Sequence, residues 1–341
     1  MPQRVDRLLD QIRTAPEGIV GDRLLASMLR PALQEFDGLS SNEAELVRGH
    51  VLAAFEHRRL DAEVINVAKE ELRTSLNPTV LAGAALALRA LQADDPECRT
   101  LLTGASQRLF GRDERVSFAA RVGDASSVRT ASDEIASTLK QWPAQLSPCC
   151  SGPIGTVTAA EPRTQTLCRH TLGRVFIEDQ AGQRSPVADL LRDRTSLIAF
   201  FYTRCMNPAK CSQTIYDLAE LARLAFAEPL ASQLNIVAVS YDPDFDEPAR
   251  LHAFGYDRRF PFAGQARLAR CVTGWDAMRR QFDLQVGYGA TTVNLHSREL
   301  FMVTSDWRSL GIDSEQLKRP DHLLDRLIRA SSSHAAADEA I

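Results

Sequence analysis

The chain has 341 residues, a formal net charge of -4, 44% hydrophobic residues and 25% charged residues. Its length exceeds the ~100–150 residues of a typical single domain, so two domains are expected. The composition is typical of a soluble globular protein, and the slightly acidic balance argues against a nucleic-acid-binding surface. No stretch approaches the ~18 consecutive apolar residues of a membrane span, so no membrane-spanning helix is expected.

The amino-terminal sequence and the number of cysteines indicate the cellular compartment of the protein. Asp6, Asp10 and Arg13 interrupt the region where a signal peptide needs its apolar segment, so a cytoplasmic location is predicted. In that compartment the seven cysteines, an odd number, are expected to be reduced. Reactive thiols or metal ligands are therefore favoured over a disulfide framework.

Residues 1–146 are predicted to form a helical domain. In NPTVLAGAALALRALQ, apolar residues recur every three or four positions after a start signal at Asn77-Pro78. Further helices are predicted at Asp22–Phe36, Ser41–His57, Ala62–Ser75, Pro96–Phe110 and Ser132–Trp142. Paired short helices of this kind are similar to HEAT-type repeats, although no clean repeat period is present. No catalytic constellation occurs in this segment, which is interpreted as a packed bundle with solvated charged faces.

Residues 147–171, which include SPCCSGPIGTVTAAEPRTQT, are rich in Pro, Gly, Ser and Thr and are predicted to connect two domains. Cys149, Cys150 and Cys168 lie in this connector, with His170 close to the last of them. These four residues could form a second thiolate and imidazole site or a thiol relay, or they could be ordinary connector residues. We expect the connector to fold back toward the cysteine loop that follows.

Residues 172–330 alternate between strand and helix patterns, and residues 331–341 are predicted to be a disordered tail. Strands are predicted at Arg174–Glu178, Ser196–Tyr202, Asn235–Ser240, Thr291–Leu295 and Leu300–Thr304, and helices after Cys211, after an N-cap at Asp246, at Val272–Phe282 and at Asp321–Ala330. The pattern indicates a compact α/β sheet with helices on both faces, which is the outline of a thioredoxin-like fold. The chain is thus predicted to be an α+β two-domain protein.

The stretch FFYTRCMNPAKCS places Cys205 after a buried strand and Cys211 at the start of a helix. Side chains at this edge of an α/β sheet commonly form functional sites, and a helix amino terminus favours a thiolate. The two residues could be inert buried thiols, a dithiol/disulfide redox pair, or two ligands of a soft metal ion. His296, between two predicted strands, could be an exposed turn residue or a third ligand.

Three motifs in this order resemble the Sco/SenC family of copper-binding, thioredoxin-fold proteins associated with assembly of cytochrome oxidase copper centres. They are FFYTRC, the turn VSYDPDFDEP at residues 239–248, and His296-Ser297 followed by Phe301-Met302-Val303. The resemblance implies copper ligands at Cys205, Cys211 and His296. Five residues separate the cysteines here where the family has three, and Leu295 stands where the family has Asp before the histidine.

The leading hypothesis is a cytoplasmic Sco-like protein that binds Cu(I) or Cu(II) for copper delivery to an accepting protein or for copper-dependent redox chemistry on a small molecule. The helical domain is expected to cover the site or to bind a partner. If the protein is an enzyme, it is a copper-dependent oxidoreductase with Cys205 and Cys211 in the catalytic site. The alternatives are a thiol–disulfide oxidoreductase of thioredoxin-like fold and a scaffolding protein without chemistry.

Overall fold

The structure, a computed structural model, describes residues 2–91, 95–112, 114–118, 128–141, 164–228, 233–263 and 265–338. The chain forms two compact units. The first comprises residues 1–161 together with 286–296, and the second comprises residues 162–285 and 297–341. Among the described residues, no helix has the length and apolarity to cross a membrane.

The first unit is mainly helical. Its helices are α1 Pro2–Thr14, α2 Ile19–Ser27, α3 Ser41–Ala53, α4 Ala62–Thr74, α5 Pro78–Leu88, α6 Pro96–Arg108 and α7 Ala131–Gln141. Two short strands, β1 Arg115–Val116 and β2 Arg129–Thr130, pair antiparallel. Helix α1 has no counterpart among the predicted helices, and the predicted helix Asp22–Phe36 ends at Ser27, with only a 3₁₀ turn at Gln34–Phe36. The HEAT-type arrangement stays a prediction.

Helix α5 lies at the centre of this unit. The predicted start signal is confirmed, because the Asn77 side-chain oxygen accepts hydrogen bonds from the backbone N–H groups of Thr79 (2.9 Å) and Val80 (3.3 Å). Every residue from Val80 to Leu88 is buried. A helix that is apolar on all sides is stable in this position because neighbouring helices cover each face.

The rest of the chain adds ten strands and six α-helices within the described residues. The strands are β3 Thr164–Thr166, β4 Phe176–Asp179, β5 Arg184–Pro186, β6 Thr195–Phe201, β7 Leu234–Ser240, β8 Ala266–Thr273, β9 Val286–Tyr288, β10 Val293–His296, β11 Leu300–Val303 and β12 Arg308–Ile312. The helices are α8 Arg169–Leu172, α9 Val187–Leu191, α10 Gln213–Ala227, α11 Pro248–Asp257, α12 Trp275–Phe282 and α13 Pro320–Asp338.

Eight of these strands form one sheet in the order β3-β12-β11-β6-β7-β8-β4-β5. Strands β6, β7 and β8 run parallel to one another, and the outer strands pair antiparallel. All residues of β6 and β7 are buried, as their continuous apolar sequences predict. Phe201 lies opposite Ser240 in the register, so the segments that follow these two strands begin side by side.

Several sequence-based assignments need correction. The predicted helix Val272–Phe282 is helical only from Trp275, because the preceding residues form β8, with Cys271 on that strand. Arg270 of β8 forms an ion pair with Glu178 of the neighbouring β4. Strand β3 lies inside the predicted connector, and β12 has no predicted counterpart. Helix α13 continues past Ala330 to Asp338, into the segment expected to be disordered.

The strand pair β9–β10 packs within the first unit although its sequence lies inside residues 172–330. The Asn294 amide donates hydrogen bonds to the carbonyl oxygens of Phe36 (3.0 Å) and Leu39 (3.1 Å). The Gly38 N–H donates to the Tyr288 carbonyl at 2.9 Å, and Leu295 joins the core of the helical unit. Long-range hydrogen bonds and apolar packing therefore both hold this pair against the helices.

Helices α3 and α5 approach each other through a pair of glycines. A Cβ atom added to Gly83 would lie 2.1 Å from the Gly49 carbonyl oxygen, and one added to Gly49 would lie 2.7 Å from the Thr79 carbonyl oxygen. Real Cβ atoms do not come this close to backbone atoms, and backbone cannot rotate away as a side chain can. These two helices can therefore pack at this distance only without a side chain at either position.

Replacing Gly83 by Ala should destabilise the protein by about 1–3 kcal/mol, because overpacking outweighs the better helix propensity of Ala. The same change at Gly104 in α6, where an added Cβ meets only the Arg108 side chain at 3.8 Å, should instead stabilise the helix by about 0.5–1 kcal/mol. Urea unfolding followed by circular dichroism measures both. Equal effects of the two substitutions would show that the α3–α5 contact is looser than the structure indicates.

Candidate metal centre

Cys205 follows the carboxyl end of β6 in a short turn. The Cys205 N–H donates to the Tyr202 carbonyl at 3.4 Å, and its Sγ lies 3.6 Å from the Asn207 carbonyl oxygen. The Cys205 side chain is partly exposed, whereas the strand before it is fully buried. Cys205 is thus the solvent-facing thiol of the loop.

Cys211 lies in a π-helical turn, Pro208–Ser212, that leads into α10. The Asn207 side-chain oxygen accepts a hydrogen bond from the Ala209 N–H at 3.0 Å, and Pro208 occupies the first position of the turn. A π turn contains more residues per turn than an α-helix and is common at functional sites. It accommodates the longer spacing between the cysteines and leaves Cys211 1% exposed.

Asp246 fixes the segment before Cys205. Its carboxylate is fully buried and accepts hydrogen bonds from the Thr203 N–H (3.0 Å), the Thr203 hydroxyl and the Ser240 hydroxyl. Burial raises the pKa of Asp246, and these hydrogen bonds oppose that shift. The prediction of Asp246 as the N-cap of α11 is wrong, because Glu247 occupies that position and Asp246 turns instead toward the cysteine loop.

The residues after His296 are held by Tyr241, which follows β7. The Tyr241 hydroxyl lies 2.5 Å from Glu299 Oε2 and 3.3 Å from the Ser297 carbonyl oxygen. The other oxygen of Glu299 accepts from the Gln285 N–H at 2.8 Å, and the Ser297 N–H donates to the Gln285 carbonyl at 3.2 Å. His296 is the last residue of β10. The next residue, Ser297, is held at its N–H by Gln285 and at its carbonyl oxygen by Tyr241, so the chain directly after His296 is fixed.

Cys205, Cys211 and His296 form a group in which the ligand atoms all lie within 4.8 Å of one another. His296 is 5% exposed, and neither cysteine is in a disulfide. This is the one group of three or more such ligands in the described part of the chain. The predicted ligand set thus comes together, including the histidine that lies far away in sequence.

The electrostatics of this group favour a bound cation. Burial raises the pKa of the Cys211 thiol, and the neighbouring Cys205 raises it further, with the charge of Lys210 opposing the shift. Burial and both thiols likewise raise the pKa of Tyr202, whose hydroxyl is hydrogen-bonded to Cys205. Two thiolates in this environment need a positive charge close by. A soft metal ion bound to two sulfurs and one imidazole supplies that charge, so the donor set fits copper.

Two arginines connect the elements around the thiols. The Arg298 Nε donates to the Thr214 hydroxyl of α10 at 3.2 Å, and its side chain, 3% exposed, also approaches Glu315 and Asp217. The Arg258 Nε donates to the Ser212 hydroxyl at 2.9 Å. Neither contact involves a candidate ligand, but Ser212 directly follows Cys211 and Arg298 lies two residues after His296.

The possible second site receives no support from the described residues. Cys168 and His170 are both exposed, at the start of α8, and join no group of three ligands there. Hydrogen bonds from Thr171 lower the pKa of the Cys168 thiol. Cys149 and Cys150 lie outside the described residues, so their part in a site stays a prediction.

Sequence reasoning missed the supporting residues Tyr202, Tyr241, Arg298 and Glu299. Tyr202 and Tyr241 lie inside the FFYTRC and VSYDPDFDEP motifs, and this position within the motifs is the sequence signal that could have identified them. The pair Arg298-Glu299 lies directly after His296-Ser297, where two adjacent charges precede a buried strand. Their partners are far away in sequence, so only the folded chain identifies their roles.

Comparison with known proteins assigns the carboxy-terminal domain. Residues 170–330 match the family model described as SCO1/SenC. Similar solved structures include a SCO1/SenC family lipoprotein from Bacillus anthracis, with 19% identity, 49% of this chain and 95% of that chain covered, and a TM-score of 0.38. No curated protein matches the chain.

Two further solved structures have comparable similarity. ScoI from Bradyrhizobium japonicum with copper bound has 18% identity, 45% of this chain and 96% of that chain covered, and a TM-score of 0.36. Peroxidoxin BcpB from Mycobacterium tuberculosis has 18% identity, 50% of this chain and 97% of that chain covered, and a TM-score of 0.35. The family-model match is the finding that assigns the domain, and it confirms the resemblance inferred from the motifs.

Replacing Asp246 by Ala should destabilise the protein by about 1–3 kcal/mol, because the Thr203 N–H and the Ser240 hydroxyl lose a buried acceptor. Asp244→Ala, two residues away at an exposed position, is the matched control and should change stability by less than about 0.5 kcal/mol. Urea unfolding followed by tryptophan fluorescence measures both. If the two variants unfold at the same urea concentration, Asp246 does not anchor the loop.

Proposed function

Because residues 170–330 form a Sco/SenC domain, we propose that this protein binds one copper ion through Cys205, Cys211 and His296 and delivers it to a copper-accepting protein. The observation that carries the proposal is the convergence of these three ligand atoms within 4.8 Å. Two thiolates and an imidazole suit Cu(I), and they accept Cu(II) with one further ligand. Zn(II) would require a fourth donor or a water molecule.

The unequal exposure of the ligands favours delivery over permanent storage. Cys211 and His296 are buried, whereas Cys205 is partly exposed. An accepting protein can reach a partly exposed sulfur first and replace it by ligand exchange, while the buried pair still holds the ion. Cys205 is therefore the ligand at which the ion is exchanged, and Cys211 and His296 retain it until exchange is complete.

Bound copper would serve either as the ion that is transferred to the accepting protein or as a one-electron redox centre. The redox version, with a small-molecule substrate, uses the same three ligands and is the enzymatic form of this proposal. The helical unit is proposed to bind the accepting protein. We propose the cytoplasm as the location, since reduced thiols are the form that binds copper.

Thiol–disulfide exchange is the second candidate, favoured by the hydrogen bond between the Cys205 and Cys211 side chains. In this reaction the Cys205 thiolate attacks a substrate disulfide and forms a mixed disulfide. Cys211 then attacks Cys205, so the substrate leaves as two thiols and the cysteine pair becomes a disulfide. Cys205 is the attacking residue because it is the more exposed thiol and burial raises the pKa of Cys211.

The purified, reduced protein should bind about one copper ion per chain. Cys205→Ser and Cys211→Ser should each lose most of the tight binding, because a hydroxyl is a poor ligand for a soft ion. Cys271→Ser, which alters a buried thiol on β8 outside the ligand group, should keep the wild-type stoichiometry. Elemental analysis and competition with a Cu(I) chelator measure these values. Wild-type stoichiometry in both loop variants would reject the assignment.

His296→Ala separates the two candidate functions. If His296 is a ligand, its loss should weaken copper binding by about tenfold or more while the thiol count stays the same. Disulfide exchange needs only the two sulfurs, so insulin reduction by the variant should match the wild-type rate if the second candidate is correct. Copper titration and an insulin-reduction assay on the same preparation decide between them. Unchanged copper affinity in His296→Ala would argue against the metal centre.

A further inference from the structure

Met206 is unusual for its exposure. Its side chain is 91% exposed, whereas Met28, Met278 and Met302 are each less than a tenth exposed. A methionine in a core stabilises the fold through burial of its apolar side chain, and Met206 forgoes that contribution. One exposed apolar side chain is ordinary in itself. Its position distinguishes it, because it lies directly after Cys205 and inside the loop that joins the two thiols.

The loop geometry holds Met206 outward. The Asn207 side-chain oxygen accepts a hydrogen bond from the Ala209 N–H at 3.0 Å. The Asn207 carbonyl oxygen accepts a second one from the Lys210 N–H at 3.1 Å. These bonds and Pro208 fix the start of the π turn directly after Met206. The sulfur and nitrogen donors therefore form a sequence of decreasing exposure: Met206 is exposed, Cys205 is partly exposed, and Cys211 and His296 are buried.

A thioether is a soft ligand that favours Cu(I) and carries no proton that must leave before it binds. It is also weaker than a thiolate, so it can accept an ion and release it again. Within the copper function proposed above, on which this inference rests, we propose that Met206 is the entry ligand that takes Cu(I) from an external donor and passes it to the Cys205, Cys211 and His296 group.

The transfer is a ligand exchange without a redox step. Met206 and Cys205 displace the ligands of the donor, and Cys211 and His296 then replace Met206. The protons of the two thiols pass to solvent, and the ion enters and stays as Cu(I). Met206 therefore affects how fast the site fills and has little effect on how tightly the filled site holds its ion.

The test is stopped-flow transfer of Cu(I) from the coloured bicinchoninate complex to the reduced, metal-free full-length protein, with the equilibrium affinity measured by competition with the same chelator. Met206→Leu keeps the size of the side chain and removes the sulfur. It should slow loading by about tenfold and change the affinity by less than about twofold. Met206→Cys restores a soft sulfur and should load within about twofold of the wild-type rate. Phe110→Leu, at another position that is 91% exposed, is the matched control and should load at the wild-type rate.

The outcomes distinguish this inference from the proposed function. If the wild-type protein takes no Cu(I) from the chelator, the copper function itself is wrong. If the wild-type protein loads and Met206→Leu loads equally fast, the entry role is wrong and the metal centre stands. If Met206→Leu lowers the affinity as much as the rate, Met206 is a resident ligand and the entry role is again rejected. Slow loading of Met206→Leu with unchanged affinity, together with a normal Phe110→Leu, supports the proposal.

Discussion

The buried carboxylate of Asp246 joins the segments that follow two parallel strands, and the position of the cysteine loop depends on that junction. It accepts hydrogen bonds from Thr203, two residues before Cys205, and from Ser240, the last residue of β7. This shared acceptor ties the turn after β6 to the end of β7. A fully buried carboxylate is costly unless several donors face it, which is the arrangement found here. The same stretch of chain also contributes Tyr241, which holds the residues after His296.

The spacing between the two cysteines matters less to the site than the places where the chain enters and leaves the loop. β6 fixes the entry, α10 fixes the exit, and the π turn at Pro208–Ser212 accommodates the residues between them. A loop of different length can therefore bring two sulfurs to one ion, provided that both ends are anchored. The longer loop also has room for an outward side chain such as Met206.

Local patterns predicted the parts of the fold that local physics determines. The continuous apolar runs of β6 and β7, the start of α5 at Asn77-Pro78 and the carboxy-terminal domain follow from burial, capping and motif order. Strand β8 could not be predicted in this way, because the ion-pair partner of Arg270 is Glu178, which lies on a strand far away in sequence. Asp246 matched the pattern of a helix cap, but its carboxylate accepts from Thr203, which lies 43 residues away in sequence. For the site, the three ligands could be predicted from motifs, but Tyr241 and Glu299, which support the segment after His296, required the tertiary structure.

The pairing of β9–β10 with the helical unit has a consequence for how this protein can be divided. A break between residues 161 and 162 would separate Asn294 from the carbonyl oxygens of Phe36 and Leu39 and would remove Leu295 from its core. The excised carboxy-terminal half would then carry an exposed apolar strand that ends in His296. The boundary visible in the sequence is therefore not a boundary at which the protein can be cut, and its two halves are expected to be inherited, expressed and degraded together.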